Sequence, residues 1–230
     1  MLANSKKRII NILVILTVHF VSVNAQFFVE GSVGAQYWGG SSSLDGNIKD
    51  NPSSYSLNVS PLMGYRLNEN VSLGVRTTFL RNTRRFIYPD PDTGDEVLWE
   101  RKSPGWSLAA FDRYKLWGAK KFSLLVESSI YMSEYNQVEK RGSATTQNLT
   151  HSAIGINAFP LISCDLSERF SITFSTDFLR LDLYTLTENN KDTGKKTKNA
   201  HFEFNGQSTI LNSLSEIRIG IIYHFKKSGK

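Results

Sequence analysis

Past the first 25 residues the chain holds three histidines, His151, His201 and His224, and His151 is followed directly by Ser152. An imidazole and a hydroxyl are the parts of a nucleophilic hydrolase, but they must lie within hydrogen-bond reach of each other. Neighbouring residues of a strand point to opposite faces, so His151 and Ser152 do not meet that demand by themselves. His201 falls in or beside a long polar segment and His224 close to the C-terminal end. The run "DPDTGDE" at 90–96 clusters carboxylates but lacks the full ligand series of a calcium loop, and Gly94 marks a solvated hairpin tip instead. Cys164 is the only cysteine, which excludes an internal disulfide and a thiolate metal cluster; a small buried or lipid-facing hydrophobe is the role that fits it. No metal-ligand spacing, glycine-rich phosphate loop or nucleophile elbow is present, so no catalytic residue, metal or cofactor is expected.

The elements that carry these residues begin after a leader. Lys6, Lys7 and Arg8 precede the apolar run "IINILVILTVHFVSV", and small residues follow up to Ala25. That order reads as a secretory signal peptide over 1–25, cleaved between Ala25 and Gln26. Its apolar run is diluted by Asn11 and His19 and is too short for a spanning helix. Losing three cations and no acid lowers the formal net charge from +6 to about +3. A weakly basic exported chain is a poor candidate for nucleic acid, and no nucleic-acid partner is expected.

From 26 to 225 the apolar pattern has period two, and helical spacing is nearly absent. Eight strands are expected: 26–38, 55–67, 71–81, 105–116, 121–135, 151–163, 169–182 and 208–225. The fourth, "WSLAAFDRYKL", has an ambiguous register in which either Asp112 or Arg113 shares a face with apolar residues, and a β-bulge is expected to reconcile it. Short turns at 67–70, 116–121 and 165–168 alternate with long polar loops near 39–54, 82–104, 136–150 and 183–207. Short turns then share one rim and long loops the other, the organisation of a membrane barrel. A repeat supports this, since "PLMGYRLNENVSLGV" from Pro61 aligns without gaps to "PLISCDLSERFSITF" from Pro160.

Which face meets which solvent follows from the side chains. Phe27, Tyr65, Phe122, Phe170, Tyr223 and Phe225 cluster by the short-turn rim, and Tyr37, Tyr55, Phe79 and Phe178 toward the other. Two aromatic belts around an aliphatic band suit the two interfaces of a bilayer. On the opposite face lie Glu30, Arg66, Arg76, Glu127, Asp177, Glu216 and Arg218, among glycine, serine and threonine. An eight-stranded barrel is filled by its own side chains, so these charges are expected to pair and plug the lumen.

The ending "NAQ", the hairpin "GYRLNENVSLGV", the "FDRY" before a short turn and the terminal "RIGIIYHF" together resemble the small outer-membrane β-barrel domain of Gram-negative bacteria, often labelled porin-family. The resemblance covers 26–225. It implies an all-β, eight-stranded antiparallel up-and-down transmembrane barrel (26–230) in the bacterial outer membrane. It also implies that Ile219, Ile221, Tyr223 and Phe225 form the terminal signal read by the barrel-assembly machinery, although the tail "KKSGK" departs from chains that stop at the aromatic residue. Expected partners are outer-membrane lipid, lipopolysaccharide at the basic tip "TENNKDTGKKTKN" (187–199), and an unknown extracellular ligand reached through the loops. The leading function is non-enzymatic, an envelope structural or surface-interaction role of adhesin or resistance type. A narrow porin, a lipid-modifying enzyme and a soluble lipocalin-like carrier follow in that order.

Overall fold

Period-two patterning becomes ten β-strands in a computed structural model that describes residues 26–39, 53–89, 96–142, 144–176, 179–205 and 217–225. They are β1 (Gln26–Gly39), β2 (Ser53–Arg66), β3 (Val71–Pro89), β4 (Glu96–Ala119), β5 (Phe122–Arg141), β6 (Ala144–Asp165), β7 (Phe170–Thr176), β8 (Arg180–Asn190), β9 (Lys196–Asn205) and β10 (Ile217–His224). Every pairing is antiparallel. β1 through β7 pair in sequence, and β10 joins β7 to β1, which closes a ring of eight strands. No described helix is long and apolar enough to cross a membrane, which leaves strand crossing untouched.

β8 continues along β6 where β7 leaves off: β7 pairs with residues 161–165 of β6 and β8 with 149–158. The seventh expected strand is thus broken, with Leu179 at φ 59° between the two halves. The expected loop 183–207 is largely the β8–β9 hairpin, and only 217–224 of the expected last strand is described as β10. Of the loops expected near 82–104 and 136–150, the described stretches 82–89, 96–104, 136–141 and 144–150 are strand, with β3 and β4 in register from Val71↔Tyr114 to Pro89↔Glu96. Alternation fails to announce these extensions because their two faces do not differ: on β3 and β4 both mix charged residues with apolar ones, Ile87 and Leu98 on one face and Phe86 and Trp99 on the other. The signal segment 1–25, the side chain of Tyr37, the tail 226–230 and Asp177, Phe178 and Glu216 lie outside the described residues.

The exposed face is the apolar one. Ile130, Ile154 and Ile156 are 65%, 68% and 50% exposed, while Glu127 in the same wall is 0% exposed. That inverts a water-soluble barrel and matches a wall bathed in lipid. On β5 the outward run is Phe122–Met132 and on β6 Ile154–Cys164, the roughly 9–11 residues that a tilted strand needs to cross hydrocarbon. Below the band an aromatic chain closes the seam: Tyr65, Phe27, Phe225 and Tyr223 follow ring on ring at 5.2, 5.0 and 4.9 Å, and Phe170 lies 5.2 Å from Tyr223. Gln26 Nε2 donates to the Phe225 carbonyl and the Phe225 amide to that of Phe27, tying both ends of the described chain to one rim.

The expected bulge exists, but between Lys115 and Trp117, below both ambiguous residues. Arg113 therefore turns inward and Asp112 stays on the apolar face, opposite Leu73 and Ser128. Inside, Phe28, Leu62, Phe111 and Ile222 pack together at the lower end. Gly64 and Gly74 face each other across β2 and β3 and leave room for two of those rings. A methyl group on Gly64 would come within 2.6 Å of the Phe28 ring, and one on Gly74 within 2.6 Å of the Phe111 ring. Gly74→Ala should therefore destabilise the barrel by about 1–3 kcal/mol through overpacking. Urea unfolding of the refolded protein in detergent, compared with an Ala substitution at open Gly31, measures it.

Candidate functional site

The interior has three tiers. In the middle, Arg113 of β4 reaches two carboxylates on strands far apart in sequence: its Nη1 donates to Glu30 Oε2 at 2.6 Å and its Nε to Glu127 Oε2 at 2.9 Å. Arg76 Nη2 donates to the same Glu127 oxygen at 2.5 Å, and Thr173 Oγ1 donates to Glu30 Oε1 at 2.7 Å. Phe111 lies beneath both guanidinium groups, 5.2 Å from Arg113 and 5.4 Å from Arg76. Gly220 of β10 leaves the space that Glu30 and Thr173 occupy. Two acids and two bases thus span β1, β3, β4 and β5 across the bore. The space left among them, lined also by Arg218, Phe159 and Leu161, is about 10 Å³, too little for a column of water.

Of the charges expected to meet in the lumen, the structure brings together Glu30, Arg76 and Glu127, with Arg218 lining the same space. Arg66 stands apart at the lower mouth, beside a cavity of about 80 Å³ that it shares with Asp165 and His224. Sequence reasoning missed Arg113, the hub. Its only signal was the register conflict with Asp112.

The lower tier holds His224, whose Nε2 lies 3.0 Å from Ser171 Oγ. The Ser171 hydroxyl donates its proton to Asp165 Oδ1 at 2.6 Å. The carboxylate is therefore on the hydroxyl rather than on the ring, the wrong order for a relay through histidine. Ser171 itself is 1% exposed. Among the described residues no three His, Cys, Asp or Glu side chains are grouped to hold a metal ion.

The upper tier begins within the top of the apolar band, at Tyr131 and Asp182, and continues above it. His151 of β6 points inward and stacks on Tyr135 of β5, centroids 4.4 Å apart and planes at 10°. One strand pair further, Tyr184 stacks on His201 at 4.9 Å and donates to Glu203 Oε1 at 2.6 Å. Tyr131 and Arg180 both donate to Asp182. Ser152, on the outward face, has no part in this tier, so the His151–Ser152 dipeptide separates as its strand geometry requires. Ile219, Ile221, Tyr223 and Phe225 all sit on the outward face of the closing strand or at its end.

No family model and no curated protein matches the chain. Solved structures do. Neisserial surface protein A is 13% identical, with a TM-score of 0.40 over 88% of this chain and 99% of its own. A major outer membrane protein of Thermus thermophilus is 16% identical, with a TM-score of 0.40 over 88% and 100%. The attachment invasion locus protein Ail of Yersinia pestis is 13% identical, with a TM-score of 0.34 over 87% and 98%. At such identities and scores no residue role is carried across, and the barrel rests on its own strand pairing.

Two outcomes follow from the tiers. Removing the hub with Arg113→Ala leaves Glu30 and Glu127 buried without their shared counter-charge and should cost about 3–5 kcal/mol in urea unfolding. Arg113→Ala combined with Glu30→Ala should cost less than the two single changes summed. At His151, burial holds the imidazole below its ordinary pKa of 6.5, and Glu188, 3.7 Å away, only partly offsets this. Below that value the unfolded chain takes up a proton that the folded imidazole resists, so stability falls as pH drops through it. His151→Phe, which keeps the stack on Tyr135, should flatten the dependence of stability between about pH 7 and pH 5.

Proposed function

We propose that the chain is a bacterial outer-membrane β-barrel that acts at the cell surface by presenting its projecting sheet, and that it neither conducts nor catalyses. One observation carries this reading: the bore is filled at its waist by Arg76, Glu127, Arg113 and Glu30, while three strand pairs run on past the apolar band. A pore invests its length in an open interior. Here the length beyond the band lies in the β3–β4, β5–β6 and β8–β9 hairpins, which are rich in polar residues but also carry the outward Ile87 and Leu98. The leader at 1–25, cleaved between Ala25 and Gln26, brings the chain to the envelope, and the barrel-assembly machinery reads the strand ending at Phe225.

Planar-bilayer recording of the folded protein tests the reading. The expected result is no conductance above the bare membrane from about 0.1 to 1 M salt. Salt-dependent single-channel steps would make the protein a narrow porin and overturn the proposal. Lipid analysis of cells overexpressing the chain should show unchanged lipid A and phospholipid, and a new acylation product would make it an enzyme.

A further inference from the structure

The upper edge of the apolar band carries a collar of charge. Across β2, β3 and β4 the band ends in the outward row Val59, Phe79 and Trp106, which pair directly. Two residues further along β3, on the same face, stands Arg81, paired with Leu57 and Pro104. The next outward row holds Tyr55, Thr83 and Lys102, and the next holds Arg85, Glu100 and Lys140. Glu100 lies among these cations, and a second acid, Glu134 of β5, stands outward beside Trp106. Glu100 Oε1 accepts from Arg85 Nε and its Oε2 from Lys102 Nζ, both at 2.6 Å. The carboxylate side chain is only 13% exposed beneath them, whereas Arg85 and Lys102 stay 50% and 44% exposed. Four outward cations against the covered Glu100 and the outward Glu134 leave a net charge of about +2 here. On β8 and β9 the outward face carries Thr185, Thr187 and Ala200, with Lys198 paired to Thr187 and Lys196 one row further on.

We infer that Arg81, Arg85, Lys102 and Lys140 form a docking surface for the phosphate-bearing headgroup of an outer-leaflet lipid whose acyl chains lie against Leu57, Val59, Phe79 and Trp106. This rests on the membrane-barrel reading. Phosphate is the anionic group found at the boundary where an apolar band gives way to water, and arginine forks match its oxygens. Cations placed just outside an anionic leaflet gain about 1 kcal/mol each from it. Glu100 sets the spacing of Arg85 and Lys102 and limits their pull, and hydrogen bonding from Lys102 and then from Arg85 keeps its carboxyl below the usual carboxylate range.

The test is native mass spectrometry of the full chain in detergent, titrated with diphosphoryl lipid A, with lipid A stripped of phosphate, and with inorganic phosphate alone. Diphosphoryl lipid A should bind at least tenfold more tightly than the stripped lipid. Arg81→Gln with Lys102→Gln should weaken it about tenfold, while Lys191→Gln with Lys195→Gln, the same charge change at the β8–β9 tip, should leave it unaltered. Glu100→Gln should tighten binding, the opposite direction to any loss of fold. Equal binding of stripped lipid, equal weakening by the two double variants, or inorganic phosphate bound as tightly as the lipid would overturn the docking surface. Unboiled and boiled samples run side by side on SDS gels keep that failure apart from failure of the barrel itself: a barrel that shifts yet ignores phosphate loses only the docking surface.

Discussion

In hydrocarbon no water is present to satisfy a bare N–H or C=O, so a spanning sheet must pair every backbone group within itself. Everything else in this chain is arranged around that closure. The ring shuts where β10 lies between β1 and β7, in a register running from Phe28↔His224 to Ala35↔Ile217 on one side and from Ile217↔Thr176 to Tyr223↔Phe170 on the other. A slip of one residue would turn Ile219 and Ile221 inward and Arg218 into lipid. The aromatic chain from Tyr65 to Phe170 lies across the same seam and pins it.

Closure with eight strands also decides the interior. The bore is only wide enough for side chains, so charges placed inside must find partners within a few ångströms or carry a heavy desolvation cost. Arg113 resolves this by dividing its guanidinium between Glu30 and Glu127, with Arg76 completing the second carboxylate. Phe28, Leu62, Phe111 and Ile222 fill the space below. The wall is thus braced from within by ion pairs and rings while its outer face remains free to meet lipid. On the function proposed above, the same bracing removes a path for solutes and leaves recognition to the projecting hairpins.

Much of this was legible in the sequence because strand geometry has a strict period of two. Val29, Val33 and Ile221 against Glu30, Ser32 and Gly220 separate cleanly, and the alternation of short and long connections placed the rims. What failed was reading that needs contrast between faces. Strand extensions such as Arg81–Pro89 and Glu96–Gly105 mix polar and apolar residues on both faces, Ile87 and Leu98 on one and Phe86 and Trp99 on the other, and so resemble loops, yet they pair residue by residue. Arg113 was hidden because "FDRY" sets an acid and a base side by side, and only the pairing of Asp112 with Leu73 shows which one faces lipid. The inward rings Phe28 and Phe111 were also silent, since an apolar residue on a polar face looks like noise until the narrow bore gives it a place.

The central claim is that the apolar face looks into lipid and the charged face into a filled bore. Spin labels at Ile130 and Ile156, in the middle of the band, and at Ser129 inside test it directly through collision with oxygen and with a water-soluble nickel complex in reconstituted membranes. The account predicts that the labels at Ile130 and Ile156 meet oxygen freely and nickel hardly at all, while that at Ser129 is shielded from both. Free access of nickel to Ile130 and Ile156 would place that face in water and contradict the account.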